Sequence, residues 1–551
     1  MKAQLRNGLI ALSAVLVFLV FSISAGLFGA WVLVLTPRPA NGEHLVTVCA
    51  TTDLHGAYFP ENYDGNRNAT SLANVATYLQ ILRDETNGQK PVLIDVGDNL
   101  QGDNAAFYYN YVDTTAPHVF AEMARDLGYD ALVVGNHDIE AGHSVYDRLK
   151  RKHHAPMLAA NAVHTSGLKV GKPYFKPYHV VLRDRLRIAV IGMTNANIKA
   201  WLSEEKWNGI DFIPISEIAQ KWVDRVRNRV HPDLVILAVH SGVGTGEGPD
   251  VENEALYLAS TLQGVDLVLC GHDHRPRVET VSHADGTQTL LIDAGTKARQ
   301  MGEATFKIEV ARHRVSAKSG EARLIDMSAF EPDAAFTERF APQFEAVRAY
   351  ALRPIGELTA PLSFEDALDG PSAYMSLIHR TQLFYSGANV SISAPLANRG
   401  SLPEGPVTFL DLTRIYKYEN LLYTVELTGA QLNAYLEYSY DHWIRRDGPS
   451  YNYDSAAGIR YTVDCNAPYG QRVKILSMAD GAPFDPAATY SVAMTSYRAS
   501  GAGNLLSEGA GVDPDSLHVT AVFKDIRSLV GDYLAQGPYT PTADDNWTFI
   551  R

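Results

Sequence analysis

Short apolar segments recur through residues 43–270, each rich in Val, Ile or Leu and bounded by Gly, Asn or Asp. Their length and composition predict buried β-strands. We place these strands at His44–Ala50, Pro91–Val96, Ala131–Val134, Arg187–Ile191, Leu234–Val239 and Leu267–Cys270. The intervening helical patterns are Ser71–Thr86, Pro117–Leu127, Ile215–Arg229 and Glu252–Thr261. Strands that alternate with helices predict an α/β layered fold.

Polar motifs containing Asp, Asn or His follow five of these strands directly. They lie at 52–56 (Thr-Asp-Leu-His-Gly), 97–102 (Gly-Asp-Asn-Leu-Gln-Gly), 135–138 (Gly-Asn-His-Asp), 240–242 (His-Ser-Gly) and 271–274 (Gly-His-Asp-His). In open α/β folds, ligands bind beyond the carboxyl ends of the strands. A single His in such a position is more often structural, and a single Gly-Asp is usually a turn. Five such motifs in one fold predict a metal site.

The mixture of imidazole and carboxylate groups indicates which ions this site binds. Such ligands suit first-row ions of the zinc, manganese or iron class. Two divalent cations about 3.5–4 Å apart, with a carboxylate between them, activate a water molecule and stabilise the charge on an attacked phosphorus. The motifs therefore predict a phosphoesterase with two divalent metal ions.

The order of the motifs resembles that of the calcineurin-like metallophosphoesterases. The C-terminal half resembles the 5'-nucleotidase and 2',3'-cyclic-nucleotide 2'-phosphodiesterase family, so that the resemblance covers the chain from about His44 to its end. It implies a four-layer α/β/β/α metallophosphoesterase domain and a C-terminal α/β substrate-binding domain, joined by a helix. It also implies an enzyme that hydrolyses nucleotide phosphoesters by attack of metal-activated hydroxide on phosphorus.

The resemblance further implies seven metal ligands and three catalytic residues. Asp53, His55 and His274 would bind one ion, Asn136, His240 and His272 the other, and Asp98 would bridge the two. His137 would stabilise the transition state and protonate the leaving oxygen, Glu140 would orient His137, and Asp138 is the acid of the Gly-Asn-His-Asp motif. A carboxylate partner keeps an imidazole protonated near neutral pH, the form that an acid catalyst needs.

The resemblance places a substrate pocket in the C-terminal half. A nucleobase needs flat aromatic faces to stack on, and the family positions fall on Tyr418 and Tyr497, with Asn420 as a polar neighbour. Arg399 matches the arginine of the family's phosphate loop, although the glycines of that loop are missing in Ala394–Arg399.

This departure and several segments, including Tyr-Asn-Tyr-Asp at 451–454, resemble the bacterial 2',3'-cyclic-nucleotide 2'-phosphodiesterase/3'-nucleotidase branch. We therefore expect 2',3'-cyclic and 3'-nucleotides as substrates. The alternative is a 5'-nucleotidase or UDP-sugar hydrolase with the same metal site. The sequence does not indicate the preferred base or the oligomeric state.

The N-terminus predicts the compartment. Lys2 and Arg6 precede an uncharged apolar stretch, Gly8–Leu35, that is longer than the core of a cleaved signal peptide and long enough to span a bilayer. We interpret it as a signal anchor that leaves the catalytic domains on the extracytoplasmic side, periplasmic or at the cell surface. Secretion after cleavage is the alternative. The net charge of −14 and the lack of a Lys/Arg block argue against a polynucleotide partner.

The expected organisation has four parts. We assign residues 1–41 to the anchor and a linker, 42–330 to the metallophosphoesterase domain, 331–354 to a linker helix, and 355–551 to the substrate-binding domain. The linker helix is predicted at Pro332–Leu352, because Pro354 should end it.

Overall fold

The computed structural model describes residues 38–418 and 420–551. The predicted anchor therefore lies outside the described residues. Among the residues that are described, no helix has both the length and the apolar composition needed to cross a bilayer.

Two six-stranded sheets form the centre of the N-terminal part. The first has the order Arg314–Asp326, Gln300–Ala311, Gly42–Thr51, Val92–Asp95, Ala131–Val133 and Met157–Leu158. The second has the order Arg277–Ser282, Gln288–Asp293, Leu267–Cys270, Leu234–His240, Leu186–Thr194 and Tyr178–Arg183. A small two-stranded sheet pairs Ala162–His164 with Ile210–Phe212. All six predicted strands are present in these sheets.

Alternation along each strand explains why the sheets pack in layers. Successive side chains of a strand point to opposite faces. Val48 accordingly belongs to the core between the two sheets, whereas Cys49 faces the helices outside the first sheet. Ile236 likewise faces the other sheet, and Leu237 faces the helices outside the second sheet. The predicted four-layer α/β/β/α arrangement is confirmed.

The helices of this part cover the outer faces of the sheets and line their edges. They are Leu72–Glu85, Asn104–Phe107, Val119–Leu127, Asn136–Glu140, His143–Lys152, Ile198–Trp201, Glu204–Trp207, Ile215–Val230 and Ala255–Thr261. The first begins where predicted because Ser71 caps it: the Ser71 hydroxyl accepts from Ala73 N, and Asn74 Oδ1 accepts from Ser71 N at 2.8 Å.

A single helix, Ala334–Ala351, leads from the N-terminal part into the C-terminal part. Asp333 caps its start, and Pro354 already belongs to the next strand. Its Phe336, Phe340 and Val347 are buried in the N-terminal core. The helix predicted from the sequence is therefore present and is packed on the metallophosphoesterase side.

The C-terminal part is a second α/β unit. Its five-stranded sheet has the order Ser455–Ala457, Val390–Ser393, Thr489–Thr495, Leu421–Thr428 and Val519–Asp525. A three-stranded sheet has the order Val473–Met478, Ile459–Asp464 and Trp547–Ile550, and two short pairs join Pro354–Leu358 to Gly405–Thr408 and Leu362–Ser363 to Ser401–Leu402. Its helices are Ala373–Ser386, Phe409–Ile415, Gly429–Arg445, Ser496–Ala499 and Ile526–Leu534. Both α/β parts of the predicted fold are thus observed.

Candidate metal centre and substrate pocket

The metal centre lies at the carboxyl ends of the parallel strands, where five loops meet. Two groups of side chains offer ligand atoms close enough to hold an ion. They are Asp53, His55 and His274, and Asp98, His240 and His272. The structure thus brings together the side chains that the sequence motifs predicted, although the strands that carry them are up to about 220 residues apart along the chain.

In the first group, the Nε2 atoms of His55 and His274 lie 3.0 Å apart, and His274 Nε2 lies 3.3 Å from Asp53 Oδ1. Asp53 Oδ1 is buried and makes no hydrogen bond within the described residues. A buried carboxylate oxygen facing two imidazole nitrogens is costly unless a cation satisfies it. This group therefore fits a divalent ion.

In the second group, His240 Nε2 lies 3.1 Å from both Asn136 Oδ1 and Asp98 Oδ2. His272 Nδ1 lies 3.0 Å from the same Asn136 oxygen. His240 Nδ1 is fixed by the carbonyl of Val96 at 2.8 Å, so that its Nε2 is the nitrogen that faces the centre. Two nitrogen and two oxygen donors around one point fit a second divalent ion.

Unusual backbone geometry holds these ligands. Asp53, His55, Asp98 and His274 all have φ between 45° and 59°, in the left-handed region that non-glycine residues rarely adopt. Such conformations cluster at functional sites because the surrounding structure fixes them. The glycines of the motifs permit close packing: a Cβ atom at Gly135 would lie 2.1 Å from Asp98 Oδ1.

His137 and Glu140 form a pair at the edge of the centre. His137 Nδ1 and a Glu140 carboxylate oxygen are hydrogen-bonded across one turn of the helix Asn136–Glu140. Burial lowers the pKa of His137, but the charges of Asp98 and Glu140 outweigh it and raise the pKa to about 9. The ring nitrogens of His55 contact Gln101 and His274 rather than a carboxylate at hydrogen-bond distance, and burial lowers its pKa to about 4 despite the charges of Asp98 and Asp53. Near neutral pH, His137 is therefore protonated and His55 is neutral.

Asp138 does not join this pair. Its two carboxylate oxygens accept hydrogen bonds from four backbone N–H groups, at distances of 2.8–3.1 Å. The donors are Asp98, Asn99, Leu100 and Gly135. Asp138 is buried behind the loop that carries Asp98 and is not part of the cavity wall. It positions that loop.

A cavity of about 490 Å³ separates the metal centre from the C-terminal part. Asn136, His137, His272 and His274 line it on one side, and Tyr418, Asn420, Tyr451 and Tyr497 line it on the other. Three of the four predicted substrate-binding residues are therefore in its wall.

Arg399, the fourth, is exposed and outside the cavity. The pairing of Ser401 with Ser363, and a hydrogen bond from Phe364 N to Gly400 O, hold this end of the loop on the outer side of the domain. Only the start of the loop, up to Leu396, reaches the cavity.

Three residues that the sequence did not single out also line the cavity. Trp201 stacks on the ring of His272 with centroids 5.1 Å apart, and Glu252 Oε1 lies 3.2 Å from His272 Nε2. The third, Arg498, is 3% exposed and donates from all three guanidinium nitrogens. Arg498 could have been found from the sequence, because it directly follows Tyr497 in the tripeptide Tyr-Arg-Ala at 497–499. No motif marks Trp201 or Glu252.

Arg498 supports the aromatic wall, the name that we give to Tyr418, Tyr451 and Tyr497 on the C-terminal side of the cavity. Its donors reach both carboxylate oxygens of Asp454 at 2.9 Å, the Tyr451 carbonyl at 2.7 Å and the Ala502 carbonyl at 2.8 Å. Every donor is thus committed within the domain, with Asn452 taking the last one. Arg498 holds the segments that carry Tyr451 and Tyr497.

Two family models match the chain. Residues 46–276 match the calcineurin-like phosphoesterase model, and residues 354–508 match that of the 5'-nucleotidase C-terminal domain. The chain is a calcineurin-like phosphoesterase of the 5'-nucleotidase family. Phosphoesterases of this family are hydrolases that use a dinuclear divalent metal site, in agreement with the two ligand groups described above.

Relatives of this phosphoesterase cover most of its length. It is 25% identical over 581 residues to a 2',3'-cyclic-nucleotide 2'-phosphodiesterase/3'-nucleotidase from Yersinia enterocolitica, covering 91% of this chain and 87% of that one. It is 22% identical to the trifunctional nucleotide phosphoesterase YfkN of Bacillus subtilis, covering 94% of this chain but spanning only 40% of that protein's length. The fold is similar to that of a 5'-nucleotidase precursor from Thermus thermophilus, at 22% identity and a TM-score of 0.63, covering 92% of this chain and 100% of that one.

Proposed function

We propose that this phosphoesterase hydrolyses 2',3'-cyclic nucleotides and 3'-nucleotides on the extracytoplasmic side of a membrane. The observation that carries the proposal is the cavity, which has the metal-ligand groups on one wall and the tyrosines of the C-terminal part on the other. Such a cavity suits a small molecule with a phosphate at one end and a flat ring at the other. The name of the Yersinia relative supports the choice of ester.

Asp53, His55 and His274 would hold one divalent ion, and Asn136, His240 and His272 the other, with Asp98 between them. Ions of the manganese, zinc or iron class suit these donors. When bound, they supply positive charge for the phosphate and a water molecule that loses its proton near neutral pH.

His137 would act as the acid in this mechanism. Glu140 fixes its Nδ1, which leaves Nε2 as the nitrogen that can give a proton. A cleaved phosphoester leaves a sugar oxygen that needs a proton, and transfer from a positioned imidazole supplies it. His137 lines the cavity beside the ligand groups, where that oxygen would lie.

Tyr418 and Tyr497 would hold the base between their rings, with Asn420 as a polar contact. Stacking on an aromatic ring tolerates any base, because every base has a π-face. We therefore expect modest discrimination between adenine and other bases.

The alternative is hydrolysis of 5'-nucleotides or UDP-sugars with the same metal centre. The match of residues 354–508 to the 5'-nucleotidase C-terminal domain supports it. The missing phosphate-loop glycines and the exposed position of Arg399 argue against a 5'-nucleotide pocket of the usual kind.

The test is an assay of the full chain with Mn²⁺ against 2',3'-cyclic AMP, 3'-AMP, 5'-AMP and a UDP-sugar. Dominant turnover of the first two would support the proposal. Dominant turnover of either of the last two would establish the alternative, and no turnover with metal bound would refute both. The His137→Ala variant should be inactive, whereas His154→Ala, which replaces an exposed histidine of the same domain, should not be.

The extracytoplasmic location is tested separately. In intact spheroplasts, added protease should digest the catalytic domains, whereas a cytoplasmic control protein remains whole. Protection of the catalytic domains until the membrane is lysed would contradict this part of the proposal.

A further inference from the structure

The described chain begins at the end of the molecule opposite the metal centre. Gly42–Thr51 runs from that end to the metal-ligand loop, and its ten residues span about 30 Å. The turn at Arg312 and His313 is at the same end, because Ala311 belongs to the strand that pairs with this one in antiparallel register. The metal centre therefore faces away from the point where the N-terminal segment leaves the domain.

Hydrogen bonds fix the first described residues to two hairpin turns. His313 N donates to Asn41 Oδ1 at 2.8 Å, and His313 Nδ1 lies 3.0 Å from the carbonyl of Pro39. On the other side, His44 Nε2 lies 2.9 Å from the carbonyl of Ala40, and its Nδ1 contacts Asp184 of the second turn. These hydrogen bonds hold residues 39–41, which we call the exit, between the turns 312–313 and 184–185.

Exposed cations surround this exit. We call five of them the basic collar: Arg38, Lys90, Arg185, Arg312 and Arg314. Within the described residues, none of the five side chains forms an ion pair.

Two of the acids beside the exit are already engaged. Glu43 pairs with Lys307 at 2.5 Å, and Asp184 contacts His44. Glu309, opposite Glu43 in the strand pairing, is exposed and forms no ion pair within the described residues. A groove of about 220 Å³ next to the exit brings Lys90 together with Leu45, which is 53% exposed. An unneutralised basic surface is therefore concentrated at one end of a chain whose net charge is −14.

We propose that the basic collar docks on the anionic headgroups of the bilayer that anchors the chain. The inference rests on the proposed anchor at Gly8–Leu35, because only two residues separate that stretch from Arg38 and hold the collar close to the headgroups. Clusters of basic side chains next to a membrane segment are attracted to anionic lipid within a Debye length. Docking would point the metal centre away from the bilayer, toward soluble nucleotides.

The experiment compares full-length protein in nanodiscs of phosphatidylglycerol with protein in nanodiscs of phosphatidylcholine, by amide hydrogen exchange. We expect exchange at residues 183–186 and 311–314 to slow at least fivefold in the anionic discs relative to the zwitterionic ones. The effect should disappear at about 0.5 M salt, where the Debye length is a few ångströms. Exchange near the metal centre should be the same in both lipids.

A variant in which the five collar residues are replaced by Gln should lose the slowing. A control variant carries the same charge change elsewhere on the surface, at Lys169, Lys172, Lys221, Arg460 and Lys474, and should keep it. Equal exchange in the two lipids, or slowing retained in the collar variant, would overturn the proposal.

Two further readouts separate this proposal from the others. An intact mass that lacks the N-terminal segment would remove the tether and, with it, the docking proposal, without affecting the nucleotidase proposal. The collar variant should keep wild-type turnover of the substrate panel, because the collar lies at the far end of the strands from the metal centre. If the wild-type protein hydrolyses no substrate of the panel, the nucleotidase proposal is refuted and the docking proposal is unaffected.

Discussion

The metal centre and the aromatic wall face each other across one cavity, but they are held in place by different means. The metal ligands follow directly from the ends of neighbouring strands, and left-handed backbone fixes the direction of Asp53, His55, Asp98 and His274. The wall depends on side-chain contacts between distant segments, above all Arg498 with Asp454, 44 residues apart. A change in the first region should act on metal binding and turnover, and a change in the second on nucleotide affinity.

The largest effect should follow Asp98→Asn. Asp98 lies between the two ligand groups, within 3.1 Å of His240 Nε2, and its other oxygen accepts from His137 N at 2.8 Å. Loss of its charge should lower kcat/KM by about 10²–10³-fold, the size seen when one group that stabilises a transition state is removed. Turnover and bound metal per chain are the measurements. Asp285→Asn, in an exposed turn, is the control and should change neither.

The second effect should follow Asp138→Asn, which tests whether the metal centre depends on the backbone behind it. The amide can accept from only part of the four N–H donors, so the loop carrying Asp98 should loosen. We expect metal affinity to fall by about 10–100-fold and the free energy of unfolding to fall by about 1–3 kcal/mol. Metal titration and denaturant unfolding measure these. Unchanged metal affinity would show that the loop holds itself without Asp138.

These two predictions also show how much of the metal centre could be predicted from the sequence. The strands and their polar ends were predictable because a short apolar run followed by Asp or His is visible locally, and because parallel strands bring their ends to one edge. The contact of Glu140 with His137 was implied by the resemblance, whereas the hydrogen bonds of Asp138 to the backbone were not predictable. Both are acids within three residues of His137, and only the turn of the helix separates their directions.

The wall was less predictable because its contacts span long separations. Tyr418 and Tyr497 could be placed by resemblance. On the metal side of the cavity, the stacking of Trp201 on His272 was not predictable either, because it arises from a short helix that no motif marks. The sequence could not assign the side chain of Arg498 to its contacts with Asp454 and the backbone, because an arginine beside Tyr497 is equally consistent with a contact to the phosphate.

The third effect tests the wall. Tyr418→Leu and Tyr497→Leu remove the aromatic faces but keep apolar volume, and each should raise KM for the preferred nucleotide about tenfold. Stacking of a base contributes about 1–3 kcal/mol, and 1.4 kcal/mol corresponds to a factor of ten. KM for glycerol phosphate, which has no base, should be unchanged. A fall in kcat for glycerol phosphate would mean that the tyrosines also support the metal centre.

The smallest effect should follow Arg399→Ala, because the structure leaves this side chain exposed and outside the cavity. If the geometry of the loop decides its role, kcat/KM for every substrate in the panel should stay within about twofold of wild type, since exposed side chains away from a site seldom matter. Arg460→Ala replaces an exposed arginine of the strand Ile459–Asp464 and gives the baseline for such a change. A rise in KM for the substrates of the panel, with the Arg460→Ala variant unaffected, would mean that Arg399 reaches the phosphate in another conformation of the loop, as its match to the arginine of the family's phosphate loop implied. Both sides of the cavity would then bind the phosphate, and the assignment of phosphate to the metal centre alone would be wrong.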